Sequence, residues 1–268
     1  MNTRKLCCVL INRMLWLLVL SVPAFRPLQT VATTVTTEAG VELVSFHYKE
    51  PGSASMREDG SMLGVCAALT YDFNKNMMVR VDMSYDWGTV RYDGWLIDFN
   101  TGERLTPVQL DSPNSIFNLR IVGGRRFRMN FNSMTITPLA GIGFRYLVNE
   151  LPGIGGYTRE QSYWYLPVGV EGSGSFQKGW GYVIRAEYDY FLSGSNVSGG
   201  DTFSQDSGYG FRASAGVSYS PAGKGALPVL VEPYVQYWSV DDSTVTTDGW
   251  FEPANNCTEY GVKCSVRF

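Results

Sequence analysis

The chain has 268 residues, 44% hydrophobic and 14% aromatic, with 29 Gly, 16 Tyr and a formal charge of −3. Its mean hydropathy is −0.09. Beyond the N-terminal region no run of about 18 apolar residues occurs, which excludes ordinary spanning helices for the body of the chain, and the negative charge argues against nucleic acid as a partner.

Residues 1–32 read as a signal peptide and short leader. Arg4, Lys5 and Arg13 give a basic start, and residues 14–22 form an apolar core too short to cross a bilayer. Cleavage is expected after Ala24 or after Ala32, and the residues leave both open. Without Arg4, Lys5, Arg13 and Arg26 the 22 basic residues become 18 against 25 acidic ones, a charge of −7. Three cysteines remain: Cys66, Cys257 and Cys264. Cys257 and Cys264 fall on one expected strand, roughly 23 Å apart, so they cannot bridge each other. No disulfide framework or zinc spacing is present.

From residue 41 to 268 one signal repeats: alternation with period two over about ten residues, ended by turn residues. In chain order the segments are 44–48, 63–73, 77–87, 117–127, 134–148, 164–170, 180–190, 209–219, 227–237 and 260–268. The clearest internal copy places Trp180, Tyr182, Ile184, Ala186, Tyr188 and Tyr190 on one face and Arg185, Glu187 and Asp189 on the other. Aromatics at both ends with aliphatics between, opposite a charged face, is the profile of a strand crossing a bilayer around a polar interior. Short links (74–76, 128–133, 177–179, 221–225) alternate with long ones (50–61, 89–115, 149–162, 194–207, 240–255). The expectation is an all-β transmembrane antiparallel up-and-down barrel of about ten strands, eight being the alternative, with short periplasmic turns and long extracellular loops.

The terminal segment resembles the signal read by the barrel assembly machinery: Tyr260, Val262, Val266 and the final Phe268 share one face. With it, and with the Tyr48-Lys-Glu-Pro-Gly stretch, residues 41–268 resemble the bacterial outer-membrane β-barrel superfamily in the broad OmpA-like sense. The resemblance implies the outer membrane as location, its lipids as surroundings and the assembly machinery as a partner in biogenesis. It implies no activity, because a fold does not fix a function.

By parity the lumen is expected to hold His47, Arg80, Asp82, Asp86, Arg120, Arg145, Glu171, Arg185, Glu187, Asp189, Arg212, Glu232 and Lys263, with Lys49 beside His47. Opposite signs nearly cancel, which points to a closed network rather than a wide channel. Catalysis needs a positioned base. His47 is the only histidine, and no Asp-x-His or His-x-Ser motif surrounds it, unlike the ten-stranded omptin proteases that the strand number resembles. A His–Ser–acid set assembled from separate strands would be invisible at this level. The expected role is structural or surface-interacting and non-enzymatic, without cofactor or metal. Recognition falls to loops bearing Trp95, Phe203, Trp250 and Phe251, and the extracellular ligand is unknown. The alternatives are a narrow passive pore and a barrel hydrolase acting on lipid or peptide.

Overall fold

A computed structural model describes residues 34–268 apart from 52–55, 74–75, 98–103, 130–133, 154–155, 224 and 248. The signal peptide expected over 1–32, with its two cleavage points, lies outside the described residues.

Ten strands build the barrel: β1 (Thr34–Glu50), β2 (Met56–Asp72), β3 (Met77–Ile97), β4 (Arg104–Arg125), β5 (Thr135–Glu150), β6 (Thr158–Gln177), β7 (Trp180–Ser198), β8 (Gly208–Tyr219), β9 (Val229–Val240) and β10 (Asn255–Arg267). Each pairs antiparallel with its chain neighbours, and β1 pairs with β10 from Glu38↔Arg267 to Lys49↔Asn256. The sheet therefore closes, and no edge is left unpaired in lipid. The final residue is stitched in as well: the Phe268 amide donates to the Thr37 carbonyl at 2.8 Å. Two short pieces extend the ladder, Phe127–Arg128 against β5 and Asp201–Gln205 against the end of β7.

The exterior carries the apolar belt that the alternation implied. Val41, Leu43, Leu63, Val65, Val168, Ile184, Val217 and Val262 are exposed large aliphatics, which in a bilayer face lipid. Aromatics rim the belt. Trp180 and Tyr219 pack at 4.7 Å on one side, and Tyr85–Trp87 and Tyr188–Tyr209 stack on the other.

Two expectations are corrected. The barrel begins at Thr34 rather than residue 41, and most of the long links are strand. The ladder runs through to Glu50, restarts at Met56, and continues along β3 to Ile97 and back from Arg104. These stretches still alternate, but above the belt the surrounding solvent is water. The outward face turns polar, so the lipid-facing signature that marks a spanning segment is lost.

The same change of solvent reverses β1. Val44, Phe46 and Tyr48, which a lumenal His47 would place on the outward face, are buried inside the barrel, Phe46 at 0% exposure. Side chains of successive residues point to opposite faces, so His47 and Lys49 point out. Lower on the same strand Val41 and Leu43 are outward, in phase with His47.

Candidate functional site

The lumen has two storeys. The lower holds a chain of alternating charges that crosses the barrel. Arg120 binds Asp82 at 3.1 Å and also Glu187; Asp82 accepts from Arg80 at 3.2 Å; Arg80 reaches Glu171 at 2.7 Å. Glu171 accepts from Arg185 at 2.8 Å, and Arg185 continues to Glu232, which also holds Lys263 at 3.1 Å. Arg145 pairs with Glu259, and Arg212 donates to Gln236. Asp86 and Asp189 are buried in the same interior. Every lumen residue expected from parity is therefore inside except His47, and its neighbour Lys49 is likewise outside. A cavity of about 60 Å³ lies among the inward charges, lined in part by Glu42, Asp82, Arg120, Arg185 and Lys263. That is room for a few waters and no more.

The upper storey is apolar at its base and polar at its top. Trp238 packs on Tyr165 at 4.8 Å and Tyr163 at 5.7 Å, and Tyr163 packs on Phe191 at 5.5 Å, all beside Phe46. Small residues make room for these rings: a Cβ added at Gly143 would sit 2.2 Å from the Tyr165 ring. Above them lies Arg159, 1% exposed. It holds Glu50 at 2.5 Å, Glu58 at 3.3 Å and, more loosely, Glu252 at 3.8 Å, and its guanidinium lies 4.6 Å from the centre of the Tyr48 ring. Asn114 and Asn149 donate to Glu58, and Asn196 donates to Glu252. Glu252 comes from the segment between β9 and β10. Burial pushes its carboxyl up to about 7 against the pull of Arg159, and Glu50 adds to the rise.

Sequence reasoning missed this upper cluster because Glu50, Glu58, Arg159 and Glu252 all fell in expected links. The available signal was the continued alternation of Tyr48 and Glu50 against His47 and Lys49, but its direction depends on height in the membrane. Of the four loop aromatics expected at the surface, Trp250 and Phe251 are exposed. Trp95 stacks under Arg104 at 5.2 Å, and Phe203 is turned inward at 7% exposure.

His47, outside, is not isolated. Ser45 Oγ lies 3.0 Å from its Nε2, and Asp59 Oδ1 lies 2.7 Å from its Nδ1. The Ser45-x-His47 spacing was legible in the sequence. Asp59 was not, because residues 50–61 were expected to be loop.

No family model matches this chain, and no curated protein matches it. Among solved structures it is similar to the outer membrane protease OmpT from Escherichia coli, at 8% identity over 89% of this chain and 98% of that chain, with a TM-score of 0.61. It also matches the translocator domain of the autotransporter NalP from Neisseria meningitidis (10% identity, 99% and 97% covered, TM-score 0.41). A third match is the outer membrane protein OprG from Pseudomonas aeruginosa (8% identity, 90% and 97% covered, TM-score 0.39). The likeness to OmpT is one of fold. The chain has the architecture of the bacterial outer-membrane barrels, and its apolar belt with aromatic rims is the surface of a protein that sits in that membrane.

Proposed function

We propose that this protein is a sealed outer-membrane barrel that acts at its outer surface, with no catalytic group in its lumen. The observation that supports the reading is the upper storey, where Arg159 and its carboxylates are buried over a layer of packed aromatic rings. A pore would need a continuous wet path, and the described interior offers instead a cross-linked charge network below and rings above. Assembly through the machinery that reads Tyr260, Val262, Val266 and Phe268 belongs to the same reading. Recognition rests on the outward surface, where Val245, Trp250 and Phe251 stand exposed between β9 and β10.

Planar bilayers test this. The purified, refolded barrel is expected to give no steady conductance steps in molar salt. Reproducible single-channel openings by the wild-type protein would reverse the assignment in favour of a pore.

A further inference from the structure

The one histidine of the chain serves the outer wall, and its partners stand in a specific order. Ser45 and His47 are two apart on β1 and so share its outward face. Asp59 is the direct cross-strand neighbour of His47 on β2. A carboxylate can only accept, so the proton sits on His47 Nδ1, and Nε2 is left to accept from the Ser45 hydroxyl. Arg57 Nε, 2.5 Å from Asp59 Oδ2, holds the carboxylate's second oxygen. The Tyr260 ring stands edge-on to the imidazole at 6.0 Å. The side chains of His47 and Asp59 are 45% and 31% exposed, so the group is open to a substrate.

A surface histidine–aspartate pair needs no function, since such pairs contribute about 0–1 kcal/mol. Two features go beyond that bland reading. The order acid, imidazole, hydroxyl is the one that activates a serine as nucleophile. The group also lies at a chemically graded height. One outward position below Ser45 is Leu43, in a row with Leu63 and Trp87 across the ladder, all lipid-facing. One position above His47 is Lys49, directly opposite Arg57. Arg57 also pairs with Asp59 and faces Asp93 on β3, so Lys49 is the cation that would meet a bound anion. Successive outward positions are about 6.6 Å apart. Apolar wall, hydroxyl with base, and cation thus follow the vertical order of acyl chain, ester and phosphate in a membrane lipid.

We propose that Ser45, His47 and Asp59 form a hydrolytic site on the outer wall of the barrel for the fatty-acyl esters of phosphate-bearing lipids in the outer leaflet. Ser45 Oγ attacks the ester carbonyl carbon while His47 Nε2 takes the hydroxyl proton. The carbon–oxygen bond to the alcohol breaks, and His47 returns the proton to the departing oxygen, leaving an acyl-serine. Water, deprotonated by His47, attacks the acyl carbon, and the proton then passes to Ser45 Oγ as it leaves. The net change is ester plus water giving fatty acid plus alcohol. Asp59 orients the imidazole and stabilises its charged form. The Ser61 hydroxyl, directly opposite Ser45, is the donor placed for the carbonyl oxygen.

The test uses the full-length barrel in detergent micelles containing one of three lipids: phosphatidylglycerol, a phosphorylated acyl-glucosamine lipid, or uncharged diacylglycerol. Release of fatty acid is measured, and a fluorophosphonate probe is mapped by mass spectrometry. Fatty acid is expected from at least one phosphate-bearing lipid, with the probe on Ser45, and whichever of the two is cleaved identifies the source. Ser45→Ala should abolish both signals, and His47→Gln should lower both by about 10³-fold or more. These side chains point outward, so heat-modifiable electrophoresis should show every variant folded. Labelling absent from Ser45, or release that survives Ser45→Ala, overturns the site. Labelling without release from either phosphate-bearing lipid, or equal cleavage of diacylglycerol, overturns the substrate class.

Discussion

The two storeys of this barrel share one ladder and one alternation, yet the alternation carries opposite meanings in them. Around the lower storey the solvent is lipid: Val41, Leu43, Val217 and Ile184 face out, and Arg80, Arg120 and Arg185 face in. Around the upper storey the solvent is water: Lys49, Arg57 and Arg91 are outward, while Phe46, Tyr163 and Trp238 are inside. Hydrophobicity therefore reports the neighbouring medium, and a strand that crosses from one medium to the other changes sign without changing its period. Inside, the charge networks differ too. The lower network is redundant, with Glu171 and Glu232 each holding two cations. In the upper one Glu50, Glu58 and Glu252 depend on Arg159 alone for an ion pair among the described residues.

That contrast in redundancy is the first thing to break. Arg159→Ala leaves buried carboxylates without their cation and is expected to cost about 3–5 kcal/mol. Arg185→Ala leaves Glu171 with Arg80 and Glu232 with Lys263, and is expected to cost only about 1–3 kcal/mol. Urea unfolding of the barrel in lipid vesicles, followed by tryptophan fluorescence, measures both. Equal losses would mean that the upper cluster is no more dependent on its single cation than the lower one.

The outward faces supply the second contrast. Ile184 sits midway between Trp180 and Tyr188 on β7, in the centre of the belt. Ile184→Arg is expected to cost about 2–4 kcal/mol, and Thr89→Arg, outward on β3 above Trp87, about 0–1. The same vesicle assay reads the difference. A tolerated Ile184→Arg would place the lipid belt elsewhere.

These contrasts also show what was legible in the sequence. On β7 and β8 the lipid-facing parity was readable because Ile184, Ala186, Tyr188 and, likewise, Phe211 and Val217 lie wholly within the belt, and the inward Arg185, Glu187 and Arg212 followed from it. On β1 parity alone failed: Val44, Phe46 and Tyr48 look like another belt segment, and only the continuous ladder down to Val41 and Leu43 shows that they face inward. His47 was consequently assigned to the wrong side. Arg159 was missed for a related reason, since a strand rising into water on one face and a packed interior on the other resembles an amphipathic loop. Ser45-x-His47 was present in the sequence, but Asp59 joins it only through a cross-strand register, which spacing along the chain does not encode.

The upper storey should further differ from the lower in its response to pH. Glu252 has its carboxyl raised from 4.5 to about 7 when folded. Between those values the folded state holds a proton that the unfolded segment releases, so stability falls as pH rises through the window and levels off above it. The groups facing it are Arg159 and Glu50, with Glu58 across the guanidinium. The effect amounts to about 3 kcal/mol at most, by the usual conversion of a pKa shift. Hydrogen exchange of residues 241–254, corrected for intrinsic rates, should show weaker protection at pH 8 than at pH 5.5, and Glu252→Gln should remove the difference. Protection that rises with pH would contradict the sign.

The smallest effect belongs at the very top, where the outward side chains meet water rather than lipid. The tip between β9 and β10 is held by its own backbone: the Thr246 amide donates to the Trp250 carbonyl at 2.7 Å, and the Gly249 amide to the Thr246 carbonyl at 3.0 Å. Gly249 has φ +86°, a conformation that favours glycine. Trp250 and Phe251 project from this turn while the adjacent Glu252 turns in toward Arg159. Trp250 and Phe251 are 38% and 47% exposed, so replacing both by Ser removes partly covered rim surface rather than core, and unfolding stability should change by no more than about 1 kcal/mol. A loss several times larger would mean that the rings pack over the mouth and belong to the sealed interior. If stability holds, the same double variant becomes a clean probe of surface recognition, because any binding partner it loses must have contacted the tip itself.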